Sequence, residues 1–333
     1  MIATIKGIAA EAKVSHQAVS AVLNNKTNCR VSQETRERIL KIASESGYRI
    51  NFGYKLMQGK STHTVAVLVA TDVIWQEEHI KNLTLKLLLH FEKLGYATYC
   101  GYLSANPSES LDKVREMVQR GVEHIVFVRS PFGGPEIEDF LERAGVTYIQ
   151  WGDYLKRYVC HANHQGLQEI YRYFISEVGE NFKLVCHVSQ CHSQTGQIMA
   201  LAAVFPDLSW EELIRKFVFA VEDLDSKEGW LESTFKSGRN AMKNLLAQYP
   251  DIGAVAFMND SSALGGADYI IQHGINPRPL ISGVNNDITV QHYPLPISSV
   301  AFDLDTIVDK LTTYAVNHEP CKIIVPSKAI IRK

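Results

Sequence analysis

No apolar run in this 333-residue chain approaches the roughly 18 residues that a membrane-spanning helix needs, which excludes a helical membrane protein. The opening residues, "MIATIKGIAAEAK", lack the basic flank and unbroken apolar core of a secretory leader. A cytoplasmic location is therefore expected, with the six cysteines as thiols rather than bridges. There is no GxGxxG after a strand, no GxxxxGK[ST], no HExxH and no GxSxG. The chain thus has no phosphate-cradling loop, zinc-protease helix or hydrolase nucleophile of the usual patterns, and neither catalysis nor a cofactor is expected. A strong net charge is also missing. The formal charge is −2, and 46% hydrophobic with 21% charged residues is ordinary for a globular protein.

The small net charge conceals a division. Residues 1–60 hold ten Lys or Arg against four Glu, a net of +6, which leaves −8 on the remainder. A basic head on an acidic body is the pattern of a segment that meets a polyanion while the body does something else. Three short helices can be read in this head. "TIKGIAAEAK" places Ile5, Ile8, Ala9 and Ala12 on one face, with Thr4 as its cap. "SHQAVSAVL" follows after only Lys13 and Val14, with Ser15 able to cap it. It offers Val19, Val22 and Leu23 for packing and exposes His16, Gln17 and Ser20. "SQETRERILKIASESG" starts at Ser32, buries Ile39, Ile42 and Ala43 and stops at Gly47. Two helices joined by a tight turn, with a third to close the core, form a helix-turn-helix, which sets the start of its second helix against base edges in the major groove.

The stretch "TIKGIAAEAKVSHQAVSAVLNN…RVSQETRERILKIASESGYRIN" resembles the head of the lactose-repressor/galactose-repressor (LacI/GalR) transcription regulators. The resemblance implies a helix-turn-helix DNA-binding domain at 1–49, a hinge at 50–63 and an effector-binding and dimerisation domain at 64–333. It puts His16 and Gln17 on the base-reading positions, where Gln can pair bidentately with adenine and His can donate to guanine. Thr4, Ser15, Ser20, Asn24, Ser32, Thr35 and Tyr48 fall with the residues that contact the DNA backbone, although Ser15 and Ser32 can serve equally as helix caps. In the hinge, "NFGYKLMQGKS", Met57 with Leu56 beside it takes the position of the family's minor-groove lever. Two departures matter: the family's recognition-helix Arg is Ala21, and its turn Gly is Lys13.

From residue 64 short apolar runs alternate with amphipathic helices, beginning "TVAVLVA" and "HIKNLTLKLLLHFEKLGY", and a second such set begins near residue 165. Alternation of this kind implies parallel sheets covered on both faces. The expected fold class is α/β: a three-helix head followed by two Rossmann-like lobes of periplasmic-binding-protein type. The lobe boundaries are placed at about 64–158 with 300–320, and about 159–299 with 321–333. "AVAFMNDSSALGGADYIIQHG" and "LISGVNND…HYPLPISSVAFD" carry the family resemblance into the body. Ligands in open α/β sheets sit beyond the carboxyl ends of strands. Asp72, Trp75, Trp151, Asn163, Asn259, Asp260, Asn285 and Asp303 lie at such ends and are the candidate effector contacts. The Gly-Gly at 265–266 reads as close helix packing. Cys160, His161, His164, Cys186, His187, Cys191 and His192 cluster in sequence, but their spacing matches no standard metal site and buried strand cysteines are the simpler reading. The expected partners are a palindromic double-stranded operator, a small-molecule effector and a second copy of the chain, with no membrane. An enzyme or a solute-binding protein on the same scaffold is the alternative, and both leave the basic head without a task.

Overall fold

The computed structural model describes residues 4–23, 31–48, 61–71, 77–187, 195–222, 230–317 and 319–333. The chain divides into two compact units, Met1–Thr62 and His63–Lys333. Among the described residues, no helix is long and apolar enough to cross a membrane.

In the first unit α1 spans Ile5–Ala12, α2 His16–Leu23 and α3 Gln33–Glu45. Each start is fixed by a hydroxyl. Thr4 Oγ1 accepts from the Gly7 N–H at 3.1 Å, Ser15 Oγ from Ala18 at 3.1 Å and Ser32 Oγ from Thr35 at 3.3 Å. These bonds satisfy amides that a helix leaves unpaired at its first turn. Ile8, Ala12, Val19, Val22 and Ile39 form the centre of a small apolar core. The turn between α1 and α2 runs through Lys13 at φ 54°, ψ 46°, the left-handed region that glycine occupies without cost. Lys13→Gly is expected to stabilise the head by about 1 kcal/mol, relief of left-handed strain outweighing glycine's greater chain entropy. Slower amide exchange at the buried Ile39 and Ile42 in the full chain would report it.

The second unit alternates strand and helix. Its first half runs β1 Thr64–Val69, α4 Glu78–Lys93, β2 Ala97–Tyr102, α5 Pro107–Gln119, β3 His124–Val128, α6 Gly134–Ala144, β4 Thr147–Trp151 and β5 Tyr158–Ala162. The second half runs α7 Asn163–Val178, β6 Phe182–His187, α8 Thr195–Val204, α9 Trp210–Phe217, β7 Val218–Val221, α10 Trp230–Gln248 and β8 Ala254–Ala256. It continues with α11 Asp260–Gln272, β9 Leu280–Val284, α12 Ile288–Gln291, β10 Ile297–Phe302, α13 Leu304–Ala315 and β11 Lys322–Ile330. All six side chains of β1 are buried, as a central parallel strand covered on both faces requires.

The strand order is β2-β1-β3-β4-β5-β11-β10-β9-β8-β6-β7. β11 joins the two lobes. Lys322–Pro326 pairs in parallel with β5, and Ser327–Ile330 pairs antiparallel with β10. One nine-residue strand is long enough to serve both sheets, which local sequence pattern does not reveal. Strand pairing therefore assigns Tyr158–Ala162 and the first half of β11 to the first lobe, where sequence reading set 159 onward and 321–333 in the second. α13 returns to the first lobe, its Ile307, Val308 and Leu311 packing with Leu83 and Leu87 of α4.

Candidate nucleic-acid interface and interlobe cleft

α2 is built to present one face. Val19 and Val22 are wholly buried, while His16 and Gln17 are exposed and Ser20 is half-buried on the turn that faces away. Spacings of three and four residues bring His16, Gln17 and Ser20 together on that outer face. The first turn of α2 carries no carboxylate, so nothing there repels a phosphate from the positive helix end. Ser15 and Ser32 are engaged as caps, and Ser32 also donates to Thr35 Oγ1 at 2.9 Å. Tyr48 is half-buried against the head core, and Thr4 is exposed at the start of α1. Asn24 and the expected levers Leu56 and Met57 lie outside the described residues, as do residues 50–60 of the expected hinge.

In the second unit the carboxyl ends of β9 and β10 open onto a cavity of about 650 Å³. Its walls come from the start of α4 (Glu78, His79, Asn82, Lys86), the loop Asn285–Asp287, residues 301–305 and residues 326–328. A smaller cavity of about 350 Å³ shares Glu78 and Asp287 with it. Asn285 and Asp303 line the larger cavity, as expected. Asp303 also caps α13, accepting from the Thr306 N–H at 3.0 Å.

The loop after β9 has an unusual backbone, with Asn285 at φ 110° and Asn286 at φ 52°. Asn reaches such angles more readily than other side chains. Its surroundings hold it there. Asp260 Oδ2 accepts from the Asp287 N–H at 2.7 Å, and Asp260 Oδ1 accepts from Ser299 Oγ at 2.6 Å. Ser299 Oγ in turn accepts from the Asn286 N–H, and Arg332 donates to Asn286 Oδ1 and to the Ile297 carbonyl. Asp260 is thus wholly buried and spent on the loop. This corrects the expectation that it touches an effector, because its position at the start of α11 turns it inward beneath β9. Asn259 Oδ1 accepts from the Ser262 N–H at 2.9 Å and caps α11. Trp151 is also corrected: it is 1% exposed within the core of the first lobe, with the Arg129 guanidinium 5.2 Å above its ring, and lines neither cavity. At the end of β4 its ring packs against those of His79 and His161, with centroids 5.8 and 5.2 Å away, which closes it off from the opening. Asp72, Trp75 and the side chain of Asn163 lie outside the described residues.

Sequence reading missed Glu78, His79 and Asp287. Glu78 bridges the lobes, its carboxylate oxygens each accepting from the Ile288 N–H at 3.1 Å. His79 is 3% exposed; burial, then the charge of Arg129, holds its imidazole pKa well below the ordinary value. Its Nε2 stands 3.2 Å from a Glu77 oxygen, yet with a neutral ring this contact is no ion pair. The Asp287 carboxyl is pushed up to about 7 by burial, then by Glu78 and Glu77. Asp260 is likewise raised, by burial and by Asp287. A carboxyl with a raised folded pKa keeps its proton where the unfolded chain releases it, so its contribution falls as pH rises from about 4 to about 7. The unfolding midpoint of the body should decline over that window, and the decline should be shallower in Asp287→Asn. Calorimetry at a series of pH values checks it.

Among the described residues, no group of three His, Cys, Asp or Glu side chains could hold a metal ion. His187 instead has its Nδ1 2.7 Å from the Glu222 carbonyl, while Cys191 and His192 lie outside the described residues.

Residues 4–51 match the family model of the bacterial regulatory proteins of the lacI family. The chain is 24% identical to catabolite control protein A of Staphylococcus xylosus, covering 96% of this chain and 94% of that protein. It is 22% identical to the HTH-type transcriptional regulator AscG of Escherichia coli, over 92% of this chain and 89% of that one. Among solved structures, the lac repressor dimer bound to operator and the anti-inducer ONPF superposes with a TM-score of 0.79 at 17% identity, covering 100% of this chain and 99% of the other.

Proposed function

The chain belongs to the lacI family of bacterial regulatory proteins, and from that premise we propose that it is a homodimeric repressor whose operator binding is set by a small molecule in the interlobe cleft. It is a DNA-binding transcriptional regulator rather than an enzyme. The observation that carries the reading is α2, whose apolar face is locked into the head while His16 and Gln17 stand exposed at its first turn. A helix of eight residues with that division of faces fits the major groove, where Gln17 can read adenine and His16 guanine. The similarity to a repressor solved as a dimer on its operator supports two heads acting on two half-sites. Glu78 from one lobe and Asp287 from the other line the same cavity, so a ligand there touches both lobes and can bias how they close, and the hinge at 50–63 is the segment through which that bias would reach the heads.

Selection from random DNA by the purified full chain tests this. The expected result is a recurrent sequence with two-fold symmetry, bound by a dimer. Recovery of asymmetric or unrelated sequences would contradict it.

A further inference from the structure

The cleft that the proposed function assigns to the effector has a wall with more hydrogen-bond acceptors than donors. Four carboxylates line the larger cavity, and three of them are committed within the protein. Glu78 accepts from Ile288, Asp303 from Thr306, and Asp305 from Lys86 Nζ at 2.6 Å. The fourth is Asp287. Its backbone N–H is given to Asp260, and its carboxyl makes no hydrogen bond or ion pair with the described residues.

A second, independent feature stands on the same wall. His79 is 3% exposed, and neither of its ring nitrogens has a hydrogen-bond partner among the described residues. The ring is neutral and carries one proton, so one of its two nitrogens presents a lone pair. A buried polar atom left unpaired carries a desolvation cost that a ligand donor would remove. Lys86 is held by Asp305 and Lys328 stands near Asp303, and among the described residues no arginine lines the cavity, so an anionic ligand would meet four carboxylates.

We propose that the cleft binds a small organic cation bearing an amine, whose N–H groups are received by the Asp287 carboxylate and by a ring nitrogen of His79, and that it rejects anions. This rests on the cleft being the effector site. Asp287 faces Glu77 just ahead of α4, Glu78 and Lys81 of α4, and Asp260 of α11. Acids outnumber the one lysine, which suits a ligand that brings positive charge.

The test offers the full chain three size-matched sets of small molecules: primary amines with pKa above about 9, uncharged polyols, and carboxylates with phosphate esters. Thermal shift finds binders and calorimetry measures them. Binding is expected from the amines alone. Asp287→Asn should weaken the best amine roughly tenfold or more, the worth of a charge-assisted hydrogen bond. The unliganded melting temperature shows whether that variant is folded, and His79→Gln, which alters the other receiving group, should weaken the same amine. Binders confined to the polyols or the anions would overturn the ligand class while leaving the cleft as an effector site. Amines that bind both variants as they bind the parent would overturn the assigned contacts. Silence from all three sets would remove the effector reading as well.

Discussion

Gly265→Ala is expected to destabilise the second unit by about 3 kcal/mol, the upper range for overpacking a tight core. α10 and α11 cross with their backbones in contact, and glycine makes the crossing possible on both sides. A Cβ at Gly265 would overlap the Phe235 carbonyl oxygen and stand 2.9 Å from the Arg239 amide nitrogen. A Cβ at Gly238 would likewise overlap the Ser262 carbonyl. These are main-chain atoms of a neighbouring helix, so no side-chain rotation can relieve the overlap and one helix must shift. That shift would pull on Asn259 and Asp260 at the start of α11, and so on the loop that lines the cleft. Gly101→Ala is the control. Its Cβ would meet only Leu68 Cδ2 at an ordinary 3.8 Å, and its effect should stay within about 0.5 kcal/mol. Urea unfolding of both variants, followed by circular dichroism, separates the two outcomes.

Gln17→Ala is expected to cost roughly 1–3 kcal/mol of operator affinity, and to do so at one base position in each half-site. Gln17 is exposed and belongs to no part of the head core, so the change should leave the three-helix unit folded. Ala21 stands where the family resemblance places a recognition-helix Arg and offers no hydrogen bond, so base discrimination is expected to rest on His16 and Gln17. The variant should therefore tolerate any base where the parent demands one. Equal loss on all sequences would instead mean that Gln17 touches only phosphates. Binding measured on the selected operator and on its single-position substitutions gives the profile.

The head was legible because its signals are local. Thr4, Ser15 and Ser32 mark three helix starts, Gly47 marks a stop at φ 63°, and apolar residues at three- and four-residue spacing mark the buried faces. The first strand and helix of the body were equally plain, and Gly265 was legible as a packing contact. The reciprocal capping box of Ser209 and Glu212 at the start of α9 is a local signal of the same kind, which the sequence reading passed over. The cleft was not legible in the same way. Glu78 meets Ile288 across 210 positions of sequence, and Asp260 meets Ser299 across 39. Position at a strand end does not say whether a side chain points into the opening or beneath it. Asn285 and Asp303 point in, whereas Asp260 and Trp151 are buried. Nor does local pattern show that β11 pairs with both sheets, because its two halves differ only in which neighbour receives them.

The most direct measurement is the distance from the Gln17 side-chain amide to the nearest base edge in a crystal structure of the chain on its selected operator. The expected result is α2 in the major groove with that amide within about 3.2 Å of a base. A complex in which His16 and Gln17 face solvent while another surface meets the bases would contradict the reading of α2 as the recognition helix.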